Sequence, residues 1–200
     1  MKTTTQLPED YREVYSVNLE TNKKSSLYVN LLAIAITVTM ALIMNLVIPI
    51  SSLFEDHIGA VGLIVRIFVL IAMILAHIVL HELTHGVAMK ICGCEKVTYG
   101  FSGMYAYASA SEFFTKTQYL CIALAPVFFW GLVLTIVGLM VPASWFWIIY
   151  TVQIANIAGA AGDYYVVFHF FFLPENVLVY DTGTSMAVYA PRAKKQAEIG

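Results

Sequence analysis

Charge is what this 200-residue sequence has least of: Asp, Glu, Lys and Arg together make up 12% of it, where a soluble domain carries about 25%. Apolar residues fill the difference at 60%, with a mean hydropathy of +0.76, and an ordinary soluble globule is excluded. Glycine and proline are modest at 12 and 6 residues, so the chain is neither collagen-like nor low in complexity. Its 12 Phe and 12 Tyr are too many for a disordered chain. A net charge of −2 and a pI near 6.2 give no basic surface for nucleic acid. The three cysteines, Cys92, Cys94 and Cys121, are too few and too odd in number for a disulfide framework, and nothing points to an oxidising compartment.

What remains is an all-α integral membrane protein. A bilayer core needs about 20 mostly apolar residues per helix, and the stretches 27–50, 60–90, 119–141 and 145–173 meet that length. The expectation is a four-span membrane domain over 27–173, flanked by tails at 1–26 and 174–200 that form small elements or are partly disordered. The first stretch is longer than a signal-peptide core and has no Ala-x-Ala-like cleavage site behind it, so it reads as a retained span. Basic residues fall in the N-terminal tail (Lys2, Arg12, Lys23, Lys24), between the second and third stretches (Lys90, Lys96, Lys116) and in the C-terminal tail (Arg192, Lys194, Lys195). The segments 51–59 and 142–144 carry none, which places both termini in the cytoplasm of a cell whose inner membrane holds the protein. Trp145, Trp147, Tyr150 and Tyr119 stand at the span ends, as interfacial anchors do. Residues 97–101 and 104–109 are rich in strand formers around Ser102-Gly103 and predict a short β-hairpin between the second and third helices.

Inside the second stretch the sequence reads His81-Glu82-Leu83-Thr84-His85. On a helix the two histidines stand one turn apart on one face, where both imidazoles can bind a single Zn²⁺. Glu82 lies about 100° around the axis, beside the metal rather than on it. There it can take a proton from an attacking water and return it to the leaving amine. Strongly polar groups are expensive inside a membrane helix, and three of them stand here within five residues.

Two histidines leave a catalytic zinc one protein ligand short. Asp163 is the leading candidate, as the only acidic residue of the fourth stretch. On a continuous helix it shares a face with Asn156, and the Gly/Ala run between them would allow close packing against the second span. His77, one turn before His81, is a rival better suited to lining the site, because three histidines at i, i+4 and i+8 diverge around a straight helix. His169 and Glu112 are weaker rivals. Arg66 reads as snorkelling to the outer surface, and Cys92-Gly93-Cys94 as a helix end with Gly93 as its cap. Pro126 should kink the third helix or free a backbone carbonyl, as is tolerated beside a cavity.

These motifs resemble the intramembrane zinc metalloproteases of the site-2 protease type, and more closely the small bacterial proteins classed as putative zincin peptidases. The resemblance covers roughly residues 62–173 and rests on HExxH, the polar β-like segment, Ala123-Leu124-Ala125-Pro126, and Asn156 with a downstream Asp163. It implies zinc held by His81, His85 and Asp163, Glu82 as base, and Asn156 as a substrate-positioning residue. The site-2 pattern is Asn-x-x-Pro followed by Asp-Gly; here Gly159 replaces the proline, and Gly162 precedes the aspartate instead of following it. The expected function is a zinc endopeptidase acting on a membrane protein or peptide within the lipid bilayer. The alternative is a non-proteolytic transporter or sensor that binds a divalent metal through the same residues.

Overall fold

A computed structural model describes residues 3–18, 20–54, 59–103 and 106–192 of the chain. Lys2, Lys194 and Lys195, and Met104 and Tyr105 of the expected hairpin, lie outside the described residues. The chain is mostly helical. Three helices, α1 (Lys23–Val47), α2 (Gly59–Ile91) and α3 (Lys116–Met140), are each long and apolar enough to cross a membrane, and they identify a membrane protein. In α1 the buried position is Ser25 alone, and Leu27, Leu31, Ile34, Val38, Leu42 and Leu46 are exposed, as lipid contact requires. A 3-10 turn at Ile50–Phe54 follows α1.

The fourth apolar stretch is not one helix. It folds as α4 (Ala143–Gly159) and α5 (Ala161–Phe170), which meet at Ala160 with φ −77° and ψ 13°. The sequence there is Gly159-Ala160-Ala161-Gly162, and each glycine weakens a helix by about 0.5–1 kcal/mol relative to alanine. Ala160 and Ala161 are fully buried, so close packing holds the bend. The break replaces the continuous helix on which Asn156 and Asp163 would share a face, and it puts Asp163 in the first turn of α5.

Nor is the protein all-α. Strands β1 (Tyr11–Asn18), β4 (Phe114–Thr115), β5 (Leu178–Asp181) and β6 (Ser185–Pro191) form an antiparallel sheet in the order β1-β6-β5-β4. Three of these strands come from segments outside 27–173. Composition hides them, because a half-buried strand shows itself only by alternation: Met186, Val188 and Ala190 of β6 point inward and their neighbours outward. Beneath the sheet lies the main core, in which Phe114, Phe170, Val179 and Val188 are wholly buried with Met89 and Ile122 against the ends of α2 and α3. A second sheet pairs β2 (Val97–Phe101) with β3 (Ala106–Ala110); β2 is followed by Ser102 and Gly103, the latter at φ +88°.

Two caps fix the junction of α2 and α3. Gly93, at φ +100°, ends α2, and the Cys94 amide turns back to the Met89 carbonyl at 3.0 Å. Thr115 and Gln118 make a reciprocal capping box that starts α3. The Gln118 amide side chain also donates to the Cys92 carbonyl at 3.0 Å, tying the end of one helix to the start of the next.

Candidate metal centre

The spacing of His81 and His85 along α2 sets their rings edge-on, with centroids 4.9 Å apart and planes at 73°. The bend at Ala160 then brings α5 alongside, and Asp163 Oδ2 lies 3.7 Å from His81 Nε2 and 3.7 Å from His85 Nε2. One ligand atom from each residue falls within 4.8 Å of the other two. Ligand atoms around a tetrahedral zinc at about 2.0–2.2 Å lie about 3.3–3.6 Å from one another, so two imidazole nitrogens and a carboxylate oxygen in this arrangement fit that ion. Among the described residues, no other group of His, Cys, Asp or Glu converges in this way.

His85 is held from behind. Its Nδ1 sits 2.9 Å from the carbonyl oxygen of Ile122 in α3; a carbonyl only accepts, so Nδ1 bears the hydrogen and Nε2 keeps its lone pair. One residue earlier, the Thr84 hydroxyl donates to the Leu80 carbonyl and receives the Trp130 indole N–H at 2.9 Å. These contacts pin α2 to α3 beside the histidines.

The three residues border a cavity of about 360 Å³. Glu82 also lines it but stands outside the converging triad, with its carboxylate against the backbone amide of Ala108 in β3. His77 lines it as well, buried, edge-on to His81 at 5.9 Å and to Trp130 at 6.0 Å. Asn156 does not reach this cavity: it is fully buried, beside His77, with its side-chain amide donating to the Val127 carbonyl at 3.3 Å. The remaining rivals lie elsewhere. His169 Nδ1 bonds the Tyr165 carbonyl at 2.7 Å, and its ring stacks on Tyr15. Glu112 accepts from the Cys94 thiol at 3.0 Å and from the Glu95 amide at 2.9 Å. Burial opposes its ionisation, but these donors outweigh that and hold its carboxyl below the usual range. Burial and the Glu112 carboxylate push Cys94 up to about 11, so it stays a thiol and makes a poor metal ligand. Arg66 is buried instead of snorkelling: it bonds the Leu53 carbonyl, and its guanidinium lies 5.3 Å from the centre of the Trp145 ring.

Two cavity residues escape sequence reasoning. Asp181, at the end of β5, receives the Tyr119 hydroxyl on Oδ2 and the Gly183 amide on Oδ1 at 2.7 Å. Burial raises its pKa. Tyr119, expected as an interfacial anchor, is instead buried in the cavity wall. The available signal was Asp181-Thr182-Gly183-Thr184 between two alternating runs, which marks a hairpin.

A model of the family described as "Putative zincin peptidase" matches residues 74–178, just over half of the chain. No curated protein matches the chain, and no solved structure does. The matched segment runs from α2 through the start of β5 and contains both motif histidines, Glu82 and Asp163, so the chain belongs to this family of zincin-type metallopeptidases, for which zinc is the implied cofactor.

Proposed function

We propose that this protein is an intramembrane zinc endopeptidase that hydrolyses a peptide bond of a membrane-embedded or membrane-proximal substrate. The observation that carries this reading is the convergence of His81, His85 and Asp163 on one side of a cavity that Glu82 also lines. His81 Nε2, His85 Nε2 and an Asp163 carboxylate oxygen would hold the ion. Zinc bound there supplies a Lewis acid that polarises a carbonyl and acidifies water. Glu82 accepts the proton of the attacking water and delivers it to the nitrogen of the departing amine.

Substrate binding falls to β3. Among the described residues it pairs with β2 along one edge only, and Ala106, Tyr107 and Ala108 line the cavity. An unwound substrate segment adding to the free edge is held by backbone hydrogen bonds with little demand on its side chains. Both tails lie in the cytoplasm, and the cut is made near that face.

The test combines metal analysis with cleavage of a membrane substrate. Wild-type protein is expected to bind one zinc and to lose activity to a chelator. Glu82→Gln should keep the zinc while turnover falls by about 10²–10⁴-fold. A Glu82→Gln protein that cleaves at the wild-type rate refutes the assignment of the base. A wild-type protein that binds zinc and cleaves nothing favours metal transport or sensing.

A further inference from the structure

Pro126 stands within α3, and the helix continues through it from Lys116 to Met140. Proline has no amide hydrogen, so the carbonyl four residues earlier, that of Ile122, receives no bond along the helix. The pyrrolidine ring also pushes this carbonyl away from the helix axis. Ile122 is 2% exposed and Pro126 is fully buried, so bulk water has little access to the carbonyl. In a bilayer a carbonyl left in that condition must find a partner inside the protein. The partner is His85, whose Nδ1 lies 2.9 Å away.

The pairing has a consequence at the other side of the ring. A neutral imidazole carries one hydrogen, and the Ile122 carbonyl claims it for Nδ1, leaving Nε2 with its lone pair. Nε2 is the atom that faces Asp163 at 3.7 Å. We propose that Pro126 is a positioning residue of the metal centre: by withholding a helical donor from Ile122 it gives that carbonyl to His85, which fixes the tautomer and aim of the ring before any metal arrives. Pro126 is not needed to bring the two helices together, since the Trp130–Thr84 bond holds α3 against α2 independently. The role of the arrangement rests on the metal reading of His85 given above, while its geometry does not.

Nitrogen-15 NMR of histidine-labelled, metal-free protein in detergent reads the tautomer directly. Wild-type His85 is expected as a single Nδ1–H form. Pro126→Ala removes the ring and supplies an amide hydrogen to Ile122, so His85 should become a mixture of tautomers. Zinc should then bind about ten- to a hundredfold more weakly. Thermal stability should hold or rise, because alanine suits a helix interior better than proline. A merely structural proline would give the opposite pattern, with lower stability and an unchanged tautomer. Placing the α-hydroxy-acid counterpart of alanine at 126 makes an ester that lacks both ring and amide hydrogen, and it should restore the wild-type tautomer and affinity. The proposal is overturned by a mixed or Nε2–H His85 in the wild type, or by Pro126→Ala with unchanged tautomer and zinc affinity. Should Pro126→Ala fail to fold, Pro126→Val, which also supplies the amide hydrogen to Ile122, takes its place: a mixed tautomer supports the proposal and an unchanged Nδ1–H form refutes it. No cleavage enters these measurements, so a chain that never cleaves would remove the function proposed above and leave this inference standing.

Discussion

Gly183 shows how much of the site depends on single atoms. It has φ +89° in the β5–β6 turn, and a Cβ added there would lie 2.3 Å from Tyr107 Cδ2 and 2.8 Å from Tyr107 Cβ. The left-handed backbone costs any other residue about 1–2 kcal/mol, and a clash with the base of a side chain cannot be relieved by rotating its tip. Overpacking of that kind costs about 1–3 kcal/mol more. Gly183→Ala is therefore expected to destabilise the protein by about 2–5 kcal/mol in denaturant titrations, and an unchanged midpoint would show that the turn does not rest on Tyr107. His81, Glu82 and His85 were legible in the sequence because their chemistry sits within five consecutive residues. Asp163 was legible as a lone acid in an apolar stretch. The Ile122 carbonyl was not, since a backbone acceptor carries no letter of its own, although Pro126 marks where one is set free. Asp181 was not legible either, because its meaning comes from Tyr119, 62 positions earlier.

The elements around the cavity divide the work. Helix α2 supplies the histidines and Glu82; α5 brings Asp163 only because α4 stops at Gly159. Hydropathy reports the length of an apolar stretch and is blind to a bend inside it, which is why the fourth stretch read as one helix. The alternation that reveals β5 and β6 is short and lies in a segment that composition marks as a tail. Strand β3 offers a direct test of the proposed substrate edge. The Ala108 amide faces Glu82 and so points away from β2, and proline at that position removes an outward donor while sparing the β2–β3 ladder. Ala108→Pro is expected to raise KM for a membrane substrate about tenfold or more and, because the same amide holds Glu82, to lower kcat as well, with zinc content unchanged. Cleavage kinetics equal to wild type would exclude strand addition at this edge.

At the scale of the whole molecule the two ends of the described chain meet. Strand β1 pairs along its length with β6, from Tyr11 against Pro191 to Asn18 against Ser185. Partners in one ladder occupy one side of a membrane, so reporters joined before β1 and after β6 are expected on the same side, and the distribution of basic residues predicts that this side is the cytoplasm. Protease protection in oriented vesicles checks this, and opposite sidedness would contradict the sheet itself. The same ladder sets an order of events during synthesis. Both histidines leave the ribosome before Asp163, and the β5–β6 turn that carries Asp181 and Gly183 to the cavity follows last. A nascent chain thus holds all three residues proposed to bind zinc while one wall of the chamber is still missing, so on that proposal an ion would enter through the gap and be enclosed when β6 docks onto β1.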